Sequence, residues 1–147
     1  MRKRKTWVLV ADGARARAFK LNREDKILEP AWQHELVGSN RPSRAIGSDR
    51  PGRTFDSAGE GRHAKEPPTD PARYEKERFA REVIRKLEGE RRRHAFQALV
   101  IVAPPQFLGD LRAVMSDPLT ECVSSEINKD LSKLKPAEIF VHIKDAL

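Results

Sequence analysis

Apolar residues follow two rhythms along this chain, separated by a long stretch that has neither. Thr6 to Ala11 (Thr-Trp-Val-Leu-Val-Ala) is apolar or β-branched at every position, the pattern of a strand buried on both faces. Asp12-Gly13 is a hairpin-turn signal. Ala14 to Leu21 then alternates small or apolar side chains with basic ones, which predicts a half-exposed strand. After the polar turn Asn22 to Lys26, Ile27 to Val37 reads as a third strand, with Pro30 restricting it to a bulge or a sheet edge. Together these segments predict a three-stranded antiparallel meander.

The period changes beyond residue 70. Asp70-Pro71 is a helix start, an amide-capping aspartate followed by a proline at the first helical position. Phe79, Val83 and Leu87, with Ala80 and Ile84 beside them, form the core-facing stripe of a helix from about Pro71 to Glu88, which Gly89 is expected to end. Its remaining circumference carries Lys76, Arg78, Arg81, Arg85 and Lys86 among glutamates. Glu77–Arg81 and Glu82–Lys86 have the favourable i,i+4 order, so a solvated face of weak ion pairs accounts for much of this charge. Phe96 to Ala103 is a second strongly apolar strand, stopped by Pro104-Pro105. A strand, a long helix and another buried strand predict a crossover, which places this second strand parallel to a neighbour at the sheet centre. Gln106 to Val114 predicts a helix with Phe107, Leu108 and Leu111 inward. Leu119 to Ile127 fits either a helix or a short edge strand, and Pro136 opens a terminal helix presenting Ile139, Phe140, Ile143 and Leu147. The expected fold is α/β: one domain over residues 1–147, built on a single mixed sheet with the meander, the crossover helix and C-terminal helices.

Between the two rhythms lies Gly38 to Arg73, with its exposed loop expected at about 38–70. It holds five of the eight glycines and five of the ten prolines, and its only large apolar side chains are Ile46 and Phe55. Most connections in compact domains take roughly 4–6 residues, so a run this long is either a functional loop or a solvated insertion. Gly59-Glu60-Gly61 permits positive φ and close backbone approach. Arg50, Arg53 and Arg62 carry planar forks suited to phosphates. The two glycines are not a dinucleotide fingerprint, because no buried strand feeds them and the third glycine is missing.

Charge adds a candidate partner. The 147 residues carry a net charge of +7, with an isoelectric point near 9.9, which fits a polyanion such as RNA or a merely basic surface. Arg91-Arg92-Arg93-His94 adds a local basic cluster. Cys122 is the single cysteine, which excludes an intramolecular disulfide and a cysteine-rich zinc site. The basic start Met1 to Lys5 imitates a signal peptide, but the apolar run after it stops at Asp12-Gly13, short of the roughly 7–15 residues such a signal needs. No stretch approaches a membrane span, so the expected location is cytoplasmic, without membrane insertion.

Catalytic patterns are sparse. His34, His63, His94 and His142 fall on separate elements, without zinc-ligand spacing. No nucleophile elbow is present. Asp12 with Asp49, Asp56 or Asp70 offers carboxylates for a divalent cation, although turn formation explains Asp12 and capping explains Asp70. No metal site or cofactor is expected.

Several motifs in order resemble the bacterial host-attachment family: Thr6-Trp7-Val8-Leu9-Val10-Ala11-Asp12-Gly13, Asp49-Arg50-Pro51-Gly52-Arg53, Gly59-x-Gly61-Arg62, Glu77-Arg78-Phe79-Ala80, the run from Leu99 to Arg112, and Glu126-Ile127-x-Lys129-Asp130-Leu131. Members are described as proteins required for attachment to host cells. That family is in turn similar to the middle domain of eukaryotic and archaeal class 1 peptide-release factors, which implies a ribonuclease H-like topology. In a release factor the loop tip carries Gly-Gly-Gln, whose glutamine helps water attack the peptidyl-tRNA ester. The corresponding tip here is Gly59-Glu60-Gly61-Arg62-His63. It has no glutamine, and the nearest, Gln33, Gln97 and Gln106, all lie outside the loop.

The expectation is therefore a module without release-factor hydrolysis that engages the ribosome, rRNA or tRNA. Arg50, Arg53 and Arg62 would contact phosphates, while Arg73, Arg78, Arg81, Arg91, Arg92 and Arg93 would position the domain. One alternative is a hydrolase of an ester or phosphodiester with His63 as base. Another is a protein-interaction module in a surface-attachment pathway. The sequence sets no oligomeric state.

Overall fold

The computed structural model describes residues 4–38 and 71–147. Strand β1, Thr6–Ala11, is buried at all six positions, as its unbroken apolar run requires. Asp12 makes the turn into β2, Arg15–Asn22. Its backbone N–H donates to the Arg15 carbonyl at 2.9 Å, and its Oδ1 accepts from the N–H groups of Ala14 (2.7 Å) and Arg15 (3.0 Å). β1 and β2 pair antiparallel from Trp7↔Lys20 to Ala11↔Ala16.

The expected third strand is split in two. β3, Ile27–Pro30, pairs with the far half of β2, and β4, Leu36–Val37, pairs with its start. Pro30 has no N–H to continue the ladder. The Ala31 N–H still reaches the Ala18 carbonyl at 2.8 Å, and Trp32 is then buried in the core.

Helix α1, Pro71–Arg92, crosses over to β5, Ala98–Ala103, which lies parallel to β1. The stripe Phe79, Ala80, Val83, Ile84 and Leu87 is buried as expected. The expected stop at Gly89 is wrong, because the helix runs on to Arg92. Two i,i+3 contacts, Arg91 Nε to Glu88 Oε1 and Arg93 to Glu90, both at 3.1 Å, accompany its last turn. The stop comes at His94, whose φ is +61°. The His94 N–H reaches the Arg91 carbonyl at 2.9 Å and the Ala95 N–H reaches that of Glu90 at 3.0 Å. This is the paired closure usually made around a left-handed glycine.

Helix α2, Pro105–Val114, and the short α3, Asp117–Cys122, carry the chain to β6, Val123–Asn128, which is parallel to β5. The ambiguous segment 119–127 thus contains both a helix end and an edge strand. The six-stranded sheet runs β3-β2-β1-β5-β6, with β4 also on β2, giving the mixed α/β fold. Helix α4, Pro136–Ile143, and a single turn, Lys144–Ala146, close the chain.

The sheet is covered on both faces. Trp7, Leu9, Leu99 and Ile101 join the helices α1 to α3 in one core. Val8, Val10, Val100 and Val102 meet Leu131, Ile139 and Ile143 in the other. This alternation is the period-2 signature of the two central strands. β2 is half-exposed as expected, with Ala16 and Ala18 buried and Arg15 and Lys20 exposed, but Arg17 is partly covered. Arg17 stands over the Phe19 ring and donates through its Nη2 to the carbonyls of Ser132 (2.7 Å) and Leu134 (2.8 Å), which fastens the segment before α4 over β2.

Candidate nucleic-acid interface

The cations of α1 divide into two groups according to what each touches. Near the start of the helix, Arg73 forms a two-pronged ion pair with Asp110 of α2 and also approaches Glu77. A Cβ built on Gly13 would lie 2.6 Å from the Cγ of Lys76, so the stem of that lysine occupies the space glycine leaves. Arg78 meets Glu75 at 3.3 Å, and the Lys86 ammonium sits 5.2 Å from the centre of the Trp32 ring. Arg91 and Arg93 are held by Glu88 and Glu90. Arg81, Arg85 and Arg92 are exposed and have no ion-pair partner among the described residues.

Those three arginines share one line of the helix, because residues 81, 85, 88 and 92 follow the i, i+4, i+7, i+11 spacing. They line a groove between α1 and the α2–α3 turn. One part, of about 450 Å³, is walled by Arg81, Arg85, Arg91 and Arg92 and floored by Ile84, Val114, Met115 and Pro118. A second part of about 590 Å³ shares Arg91, Arg92 and Pro118 with it and adds His94, Glu121 and Cys122. Several like charges facing one concavity focus a positive potential there.

Glu88, the fourth member of the line, is buried at 9% exposure and braces the groove from beneath. Its Oε2 accepts from the Ser116 hydroxyl and, at 3.3 Å, from the Ser116 N–H, while Oε1 accepts from Arg91. Ser116 also caps α3, its Oγ accepting from the Leu119 N–H at 3.2 Å. Burial works against the charged carboxylate, but the bonds from Ser116 and Arg91 outweigh it and hold the Glu88 carboxyl below its ordinary value. One acid thereby ties together the two walls of the groove.

A larger depression of about 960 Å³ lies at the amino end of β1, between Arg4, Lys5, Lys20 and Arg23 on one hand and Glu24, Glu29 and Glu90 on the other. The two signs largely offset each other there, so it makes a weaker anion site than the arginine groove.

At the opposite end of the sheet, beyond β1, the Ser132 hydroxyl stands 2.7 Å from both Asp12 Oδ2 and Asp130 Oδ1. Burial opposes the charge on Asp12, yet Ser132, the amides of Ala14 and Arg15 and the Arg15 charge together lower its carboxyl pKa. Among the described residues no group of three or more His, Cys, Asp and Glu is placed to hold a metal ion. The partners of Asp12 are those of a turn, joined to the segment before α4.

Gly59, Glu60, Gly61, Arg62, His63, Arg50 and Arg53 lie outside the described residues, as do Asp49, Asp56 and Asp70. Of the remaining expected contacts, Arg81, Arg91 and Arg92 come together at the groove. Arg73 and Arg78 are engaged elsewhere, and Arg93 is held by Glu90. Arg85, Met115 and Ser116 were not expected at a site. The i,i+4 step from Arg81 marks Arg85 in the sequence, whereas nothing in the sequence joins Ser116 to Glu88.

The residues on either side of 39–70 stay at the carboxyl end of β1. Gly38 donates its N–H to the Ala14 carbonyl at 3.0 Å, and a Cβ there would come within 3.0 Å of the Phe79 ring. At about 1.5 Å per residue, the 22 residues of α1 put its two ends some 33 Å apart. The 91–93 cluster therefore lies a full helix length from the point where residues 39–70 rejoin the described chain.

No helix among the described residues is long and apolar enough to cross a membrane. No curated protein matches the chain. The family described as protein required for attachment to host cells matches residues 7–143. That span takes in every strand but the first residue of β1, and the chain belongs to this family.

Proposed function

We propose that this host-attachment protein is an RNA-engaging module that works in the cytoplasm, on the ribosome or on tRNA, and that its part in attachment is indirect. One observation carries the reading: Arg81, Arg85 and Arg92 share one line of α1 beside a groove and make no ion pair among the described residues. Arginine forks left free at a concave surface are the usual means of holding phosphates. The order of meander, residues 39–70, arginine-bearing helix and buried strand is in keeping with the resemblance to a release-factor middle domain.

Filter binding of the chain to total tRNA and to rRNA fragments tests this. Three neutralised phosphates give a log–log salt slope of about −2 to −3. Replacing Arg81, Arg85 and Arg92 together by alanine should abolish micromolar binding at low salt. Absence of any RNA association at micromolar protein and low salt would end the reading.

A further inference from the structure

We infer that the groove takes RNA as a single strand, with phosphates along the arginine line of α1 and bases against the apolar floor; this rests on the RNA reading above. The two walls are chemically unlike. The α1 side offers Arg81, Arg85 and Arg92, while the floor and the far side offer Ile84, Val114, Met115 and Pro118. A duplex presents phosphates outward and keeps the faces of its bases stacked inside, so it would satisfy the arginines and leave the apolar floor in water. A single strand has a charged edge and an apolar edge, and it matches both walls at once.

Two further features set the orientation. Glu121, exposed on α3, lines the far side of the second part and repels phosphate from it, so the backbone runs along α1. Its carboxylate is placed to accept a hydrogen bond from a base amine, as acidic side chains do with cytosine. The rise from Arg81 to Arg92 is about 16 Å at 1.5 Å per residue, which limits the contact to a short segment of a few nucleotides. The groove is thus a site for an unpaired loop, bulge or end within a larger RNA.

Fluorescence anisotropy on the full chain separates the possibilities, using a labelled 12-nucleotide RNA either alone or annealed to its complement. The lone strand should bind at least tenfold more tightly than the duplex. Met115→Gln, which keeps the length of the side chain but puts an amide on the floor, should weaken the lone strand by about tenfold and leave the duplex unchanged. Pro118→Ala, which keeps a good helix former at the start of α3, should act in the same direction with a smaller effect. Circular dichroism of both variants confirms that they fold. Equal affinity for strand and duplex, or folded variants that bind the strand normally, would overturn the single-strand inference and leave the RNA reading standing. No binding of either RNA would remove both.

Discussion

The two ends of α1 carry the same kind of side chain and use it in opposite ways. At the start, Arg73 is 25% exposed and Asp110 is 10% exposed, and their paired forks join α1 to α2. At the other end, Arg92 is exposed, makes no ion pair among the described residues and lines a groove. Both were expected to position the domain on RNA, from basic charge together with the family resemblance. The difference teaches that a count of basic residues measures potential partners, whereas the count left after internal pairing measures available ones. Between the ends sits Glu88, where the helix contributes its one buried acid.

The largest effect should come from that acid. Glu88→Ala removes the acceptor for the Ser116 hydroxyl, the Ser116 N–H and Arg91 at a partly buried site, and should cost about 2–3 kcal/mol in urea denaturation. The pH dependence has a definite sign. The ordinary value of the carboxyl is 4.5 and the fold lowers it, so its stabilisation is present above pH 4.5 and fades as the pH drops through the lower folded-state value. In Glu88→Ala that contribution to acid sensitivity should disappear. A variant as acid-sensitive as the parent would break the assignment of Glu88 as the brace.

Next in size is Arg73→Ala, which strands Asp110 and should cost about 1–2 kcal/mol while leaving RNA binding unaltered. Loss of RNA affinity without loss of stability would mean that the two ends of α1 are not different after all.

A smaller change of opposite sign is expected at the helix terminus. His94 occupies a left-handed conformation that glycine adopts without steric penalty. His94→Gly should raise stability by about 0.5 kcal/mol, the relief being partly offset by the greater freedom of glycine in the unfolded chain. Destabilisation in a thermal melt would show that the imidazole makes contacts worth more than the strain.

Much of the scaffold was readable because single residues carry it. The unbroken run Thr6–Ala11 announces a strand covered on both faces, and the spacing Phe79, Val83, Leu87 announces the inner face of α1. Gly89 misled because a local helix-breaking preference of about 1 kcal/mol is weaker than the packing and pairing around it. The alternation of β2 was visible, but the carbonyls that cover Arg17 come from more than 110 positions away. The site was harder to read for the same reason. Its cationic wall lies on one helix: Arg81 could be named from the charged face of that helix and Arg92 from the Arg91–Arg93 cluster, but the stop expected at Gly89 hid the line they share. Its floor and its brace come from Met115, Ser116 and Pro118, which only the crossover through β5 brings beside α1. Ser116-Asp117-Pro118 carries a helix-capping signal, but nothing local shows that this hydroxyl reaches Glu88.

Arg92→Ala is the finest test of the contrast, because it should change almost nothing in the protein itself. The exposed side chain makes no ion pair among the described residues, so truncation should alter stability by no more than about 0.5 kcal/mol. Loss of a cation near the helix C-terminus costs a few tenths of a kcal/mol through the helix dipole, and the better helix propensity of alanine returns about as much. RNA binding should nevertheless weaken, and the log–log salt slope should become shallower by about 0.7, the share of one phosphate on a single strand. Arg73→Ala is the mirror of this experiment, with a stability cost and an unchanged salt slope. If both variants lower stability equally and neither changes the slope, the arginines of this line are structural and the groove holds no phosphate.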